Sequence, residues 1–238
     1  ENSELSFSER IKKGFEMAFN GGLDYMFGIG SVTNYITGRF GKAGGSKSKK
    51  RVSPGIALRY LRAKYLCRRD GRELLPRDVF RVKGLVSMGT DARCYKQRIA
   101  DAWGRMPIET AAGTETTCLG TEDYRRNGMV FFPDSCFYEF IPETEMRRSL
   151  ENQGYTPKTV LTDEVALGSS YELVISVLKG GAFARYRIGD MYRCVSGANG
   201  GELPRFTFID RTPDVIDIAG FTRITRSSIE EVISRSRL

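Results

Sequence analysis

Apolar residues recur at helical spacing from Ser6 to Asn20, where Phe7, Ile11, Phe15 and Phe19 alternate with Lys and Glu. An amphipathic helix is expected there, ended by Gly21-Gly22. The next apolar segment, Leu23 to Phe40, is punctuated by glycine and reads as helical in pieces. Gly41 to Arg51 (GKAGGSKSKKR) holds no apolar residue but Ala43 and reads as a mobile loop. Pro54 to Arg69, rich in Ala, Leu, Tyr and Arg, predicts a helix. A strand follows over Val79 to Met88, a helix over Asp91 to Trp103 and a short strand over Pro107 to Ala112.

Strand, helix and strand in about 30 residues is the βαβ unit of a parallel sheet. Its loops, Ser87 to Thr90 and Gly113 to Thr117, then share the edge at which open α/β sheets bind ligands. After Gly128 the pattern changes to short β-rich segments between turn residues: Met129–Phe132, Phe137–Ile141, Tyr171–Val177 and Ala184–Val195. That spacing predicts a mostly antiparallel sheet or open barrel. One or two more strands fall in Phe206 to Ile218, and a helix begins within Thr225 to Ser234. The fold class is therefore α/β, a partly parallel sheet flanked by helices plus an antiparallel sheet or distorted barrel.

Composition narrows the chemistry. The 238 residues include no histidine, which removes Ser-His-Asp and Cys-His hydrolases and leaves carboxylates, Arg, Lys, backbone amides or a bound metal. Five cysteines (Cys67, Cys94, Cys118, Cys136, Cys194) show no CxxC pairing and read as reduced, mostly packed residues. Nothing resembles a signal peptide or a membrane span, so the expected setting is soluble and cytoplasmic.

The net charge of +8 is uneven, with 19 Lys and Arg against five Asp and Glu between Arg39 and Arg105. Such a stretch could face nucleic acid, but no recognised nucleic-acid module accompanies it. A solvated basic face, or a site that attracts anionic nucleotides, explains it as well. The Gly, Ser and Lys of the 41–51 loop lack the spacing and the preceding strand of a P-loop, so a linker is the plainer reading.

Three segments could carry chemistry: Ala111-Ala112-Gly113-Thr114-Glu115-Thr116, Arg185-Tyr186-Arg187-Ile188-Gly189-Asp190, and Ile209-Asp210-Arg211-Thr212-Pro213-Asp214 with Ala219-Gly220 beyond it. Gly-Thr-Glu at a strand's end offers bare backbone beside a base, a hydroxyl for a phosphate and a carboxylate for Mg²⁺. Gly-Asp after a basic strand can present one carboxylate to two vicinal ribose hydroxyls. An arginine ending the next strand adds a rigid donor fork. Each also has an ordinary reading: Gly113-Thr114 a turn, Asp190 a strand-end carboxylate paired with Arg187, Arg211 a surface ion pair.

In order and spacing the three resemble core motifs of the adenylate-forming superfamily: the Tyr-Gly-x-Thr-Glu loop, the Tyr-Arg-x-Gly-Asp segment and the Gly-Arg-x-Asp-Asp hinge. Gly128 to Pro142 (GMVFFPDSCFYEFIP) and Phe183 to Asp190 are similar to the auxin-responsive promoter (Gretchen Hagen) family of acyl acid amido synthetases. The resemblance runs from about Val79 to Glu231. It implies activation of a small carboxylic acid by ATP and Mg²⁺ to an acyl-adenylate, then transfer to an amine or thiol, on the large domain of such enzymes.

On the matching positions Thr114 and Glu115 would be catalytic, Glu115 also holding the metal. Gly89, Ala112, Gly113, Asp190 and Arg211 would bind the nucleotide. Phe137 and Tyr138 would line the acyl pocket or else pack in the core. Residues 1–127 would be the helical and βαβ part, 128–222 the β-rich part and 223–238 the start of a truncated lid. Departures are Ala111 where the family stacks a Tyr on adenine, Pro213 where an acidic residue is common, and no phosphate-grasping loop upstream. The expectation is a ligase fragment, inactive alone. The alternative is a catalytically inactive nucleotide- or partner-binding protein of the same fold.

Overall fold

The computed structural model describes residues 5–43, 53–90, 92–178, 180, 182–197, 202–212, 215–218 and 222–236. The chain divides into two compact units, one of Glu1–Ser87 with Tyr95–Pro107 and one of Met88–Cys94 with Ile108–Leu238. The fold class is mixed α/β, with a partly parallel sheet flanked by helices.

The first unit holds α1 (Phe7–Gly21), β1 (Tyr25–Ile29), α2 (Gly30–Ala43), α3 (Pro54–Arg69), α4 (Pro76–Val79), most of β2 (Gly84–Met88) and most of α5 (Ala92–Trp103). Ser6 starts α1 by a capping box with Glu9, the Ser6 hydroxyl donating to Glu9 over 2.6 Å. Gly22, at φ +92, ends it. Pro54 sits in the first turn of α3, where its missing N–H is no loss. Phe15, Phe40, Ile56, Val79, Phe80, Leu85, Ile99 and Trp103 form one core, with Trp103 Nε1 donating to Thr37 Oγ1 over 2.8 Å.

Two readings of this region change. Leu23 to Phe40 is not helical throughout, because Tyr25–Ile29 alternates with period two and forms β1 before α2. The strand expected over Val79–Met88 starts only at Gly84; Pro76 and Asp78 instead make the short α4, the Asp78 carboxylate accepting from the Leu75 N–H over 2.9 Å. Of the expected 41–51 loop, Gly41–Ala43 extends α2 and the rest lies outside the described residues.

The second unit contains β3 (Ile108–Ala111), β4 (Gly120–Glu122), β5 (Met129–Phe131), β6 (Cys136–Pro142), α6 (Glu143–Glu151), β7 (Ser170–Val177), β8 (Tyr186–Ser196), β9 (Arg205–Arg211), the hairpin β10 (Val215–Ile218) and β11 (Thr222–Thr225), and α7 (Arg226–Arg235). Its strands run in the order β3-β4-β5-β9-β8-β7-β6, each neighbouring pair antiparallel. Gly120 is required by this meander: a Cβ there would lie 2.4 Å from the Val130 carbonyl oxygen of β5.

One face carries the main core, in which Phe131, Tyr138, Phe140, Leu173, Ile175, Tyr192, Cys194 and Phe206 are buried. Phe140 and Phe206 stack at 5.0 Å, a pairing worth about 0.5–1.5 kcal/mol beyond its buried area. The other face carries a smaller cluster of Ile141, Met146, Val174 and Met191 with Ile209, covered by α6 through Met146. All five cysteines are free thiols, and Cys67, Cys136 and Cys194 are buried.

That second face also buries charge. Glu172, only 2% exposed, receives Arg187 Nε at 2.8 Å and Nη2 at 2.5 Å. Glu139 receives Arg185 Nε at 3.0 Å and Nη2 at 2.9 Å. Arg187 therefore pairs with Glu172 and not with Asp190, which settles one of the alternatives the sequence left open.

Candidate functional site

Two interruptions of the β8 ladder build the site. Between Val174↔Arg187 and Glu172↔Met191, β7 contributes only Leu173 while β8 contributes Ile188, Gly189 and Asp190. The surplus makes β8 bulge, and Gly189 takes φ +84 within it, a conformation costly for any residue with a Cβ. Thr212 fixes the bulge, its N–H and Oγ1–H both donating to the Gly189 carbonyl at 2.7 and 3.0 Å. The second interruption lies in β9, where Asp190↔Arg211 and Met191↔Asp210 are followed by Tyr192↔Phe208. Ile209 is the extra residue. Strict alternation from Phe206 and Phe208 would aim Asp210 at the main-core face. The bulge aims Arg211 there instead, directly opposite Asp190.

The third component is the turn after β3. The Thr117 N–H donates to the Gly113 carbonyl at 2.8 Å, and the Leu119 N–H returns to the Ala111 carbonyl at 2.8 Å. Glu115 folds back over Gly113, so a Cβ at Gly113 would lie 2.7 Å from Glu115 Oε2. The Thr114 hydroxyl reaches the same oxygen at 3.3 Å. Thr117 holds φ +67, which is strained for a β-branched residue. Strain of about 1–3 kcal/mol collects at functional loops. Because Thr117 is exposed, Thr117→Gly is expected to raise unfolding free energy by about 1 kcal/mol in urea titrations; a loss would show that the hydroxyl or methyl makes an unrecognised contact.

These parts enclose a cavity of about 370 Å³ within the second unit, a volume suited to a small ligand. Gly89, Ala112, Gly113, Thr114, Glu115, Asp190 and Arg211 all line it, so the structure brings these sequence candidates together. It does not bring Phe137 and Tyr138. On β6, Tyr138 points with Phe140 into the main core and donates its hydroxyl to the Leu119 carbonyl at 3.0 Å; Phe137 is exposed on the opposite side of the strand. Pro213, Asp214, Ala219 and Gly220 lie outside the described residues, as do the side chains of Glu230 and Glu231. Arg93, Glu109, Ile188, Tyr192 and Phe208 also line the cavity without having been singled out. Period-two alternation from Asp190 could have located Ile188 and Tyr192; nothing local marked Arg93.

Asp190 dominates the electrostatics. Its side chain is 16% exposed and its Oδ1 lies 3.1 Å from Arg211 Nε, an ion pair without hydrogen-bond geometry, since that oxygen has no hydrogen-bond partner among the described residues. Burial pushes its pKa up to about 6; Arg211 works against the rise and the Glu115 carboxylate adds to it. Desolvation prevails because Arg211 is 48% exposed and shares its charge with solvent. A buried carboxylate oxygen left without a donor, facing a cavity, is matched to a ligand that brings hydroxyl or amine hydrogens. No cluster of three or more His, Cys, Asp or Glu able to hold a metal occurs among the described residues. Mg²⁺, however, needs only one or two carboxylates when phosphates complete its shell.

Comparison with known proteins adds three findings. The chain is similar to 2-hydroxyisobutyryl-CoA ligase in its postadenylation state with R3-HIB-AMP, at TM-score 0.60 and 17% identity over 97% of this chain and 40% of that one. An open conformation of that ligase with 2-HIB-AMP and CoA gives TM-score 0.54, 17% identity, and 92% and 42% coverage. GH3.15 acyl acid amido synthetase gives TM-score 0.45 and 19% identity over 63% and 26%, a likeness too slight to add to the fold. This chain thus spans less than half the length of the ligase whose fold it shares. No curated protein matches it by sequence. The GH3 family central domain matches residues 129–211, the stretch from β5 to β9 that contains both bulges, Asp190 and Arg211.

Proposed function

We propose that this chain forms the nucleotide-holding part of an ATP-dependent ligase that activates a carboxylic acid as an acyl-adenylate. In that reaction a carboxylate oxygen attacks the α-phosphorus of ATP, the bond to the bridging oxygen breaks, and pyrophosphate leaves. An amine or thiol then attacks the acyl carbon and AMP departs. The observation that supports this reading best is the convergence of Asp190, Arg211 and the Gly113–Glu115 turn on one cavity. It agrees with the adenylate complexes of the ligase whose fold the chain shares.

In this reading Asp190 accepts hydrogen bonds from the vicinal ribose hydroxyls, which would supply the donors its Oδ1 lacks. Arg211, held across the strand pair, donates to ribose or phosphate. The Thr114 hydroxyl faces a phosphate oxygen, and Gly89, Ala112 and Gly113 leave room for the base. Phe208 and Tyr192 offer the cavity aromatic surface that Ala111 does not. Mg²⁺ would be held by Glu115 and would supply charge neutralisation at the phosphates. Residues 223–238 would open a lid domain.

Calorimetric titration with AMP and with ATP plus Mg²⁺ tests the site. Binding is expected, and Asp190→Ala should weaken it at least about tenfold, equivalent to about 1.4 kcal/mol. Absence of binding by the folded wild-type chain would remove the nucleotide reading. For the whole enzyme, ATP-dependent pyrophosphate release across a panel of carboxylic acids is the corresponding measurement.

A further inference from the structure

We infer that Arg93 is the anion-receiving residue of this cavity, holding the phosphoryl group of the bound nucleotide. The inference rests on the nucleotide reading above and adds to it a residue that no motif identified. The charged groups lining the cavity are Glu109, Glu115, Asp190, Arg93 and Arg211. Arg211 is already engaged by Asp190. Without Arg93, Glu115 and Asp190 would face Arg211 alone, a balance that repels an anionic ligand. Arg93 is exposed and makes no hydrogen bond or ion pair among the described residues, so its donors are available.

Its position is also telling. Arg93 lies in the first turn of α5, which contains no acidic residue. A cation there opposes the helix dipole and gains nothing from a neighbour on its own helix. A local choice against electrostatic preference, beside a cavity, fits a group kept for a ligand. The planar guanidinium fork also matches two phosphate oxygens at once, which an ammonium cannot do.

The test is titration of the full chain with AMP and with adenosine, for wild type, Arg93→Met and Arg93→Lys. Wild type should bind AMP more tightly than adenosine. Arg93→Met should weaken AMP about tenfold and leave adenosine unchanged, and Arg93→Lys should recover part of the loss. Equal weakening of both ligands would assign Arg93 a structural role and overturn the inference. So would an unchanged AMP affinity, or a wild type that prefers AMP no more than adenosine, and in both cases the nucleotide site would stand. A folded wild type that binds neither ligand would overturn the nucleotide site and this inference together.

Discussion

Asp190→Asn is expected to make the protein more stable above pH 6 while weakening the nucleotide binding proposed for it. Burial raises the folded-state pKa of Asp190 from the ordinary 3.8 to about 6, so the folded protein retains this proton more tightly than the unfolded chain does. The stability contributed by the group is complete below about pH 4 and is lost as pH rises through about 6. Asparagine does not titrate and has no charge to desolvate. The difference between variant and wild type should therefore favour the variant increasingly from pH 4 to pH 7, reaching on the order of 2 kcal/mol. Arg211 loses its partner, but at 48% exposure water replaces much of that interaction. Urea denaturation of both proteins at pH 4, 6 and 8 measures the difference. A gap that does not change with pH would mean that Asp190 is not held protonated by its surroundings. Greater stability with poorer binding is the usual consequence of desolvating a charged group for a ligand's use.

Arg187→Met should have the opposite sign and a comparable or larger size. It strands Glu172, 2% exposed, beneath α6 without the guanidinium, whose Nη2 also reaches Ser149 Oγ at 3.1 Å. Breaking one side of a fully buried pair costs about 3–5 kcal/mol; because Arg187 is itself 37% exposed, water takes up part of its place and the loss falls at the lower end of that range, still a large part of the about 5–15 kcal/mol by which a typical domain is stable. The double variant Arg187→Met with Glu172→Met should recover most of that loss, because the remaining groups are apolar and similar in volume. A single variant within about 1 kcal/mol of wild type, by urea denaturation at pH 7, would show that Glu172 readily takes a proton or water. The two predictions separate neighbouring positions of one strand: at 187 the charge supports the sheet, and at 190 the charge works against it.

Much of this architecture was legible along the chain. The helix with a clear 3.6-residue period, α1 between Ser6 and Gly22, and the one rich in Ala, Leu, Tyr and Arg, α3 from Pro54, fell where the sequence put them. Strands β5 to β9 did so within a few residues, because aromatic and β-branched runs bounded by Gly, Pro and Asp allow little else. Elements decided by fewer residues were missed. The three residues of β4 form an interior strand only because Gly120 permits close approach to β5. α6 starts directly after the last residue of β6, at Glu143 and Glu145, leaving no loop to announce it.

The residue types of the candidate site, and their order as Gly-Thr-Glu, Gly-Asp and Arg, were legible along the chain, where the absence of histidine left carboxylates, Arg, Lys, backbone amides or a bound metal as the available chemistry. Which arginine meets which carboxylate was decided only in three dimensions. Two bulges shift the parity of β8 and β9, sending Arg187 to Glu172 and Arg211 to Asp190. Side-chain direction in a strand reverses with each inserted residue, so partners follow from ladder register, and register is set by hydrogen bonds to strands distant in sequence.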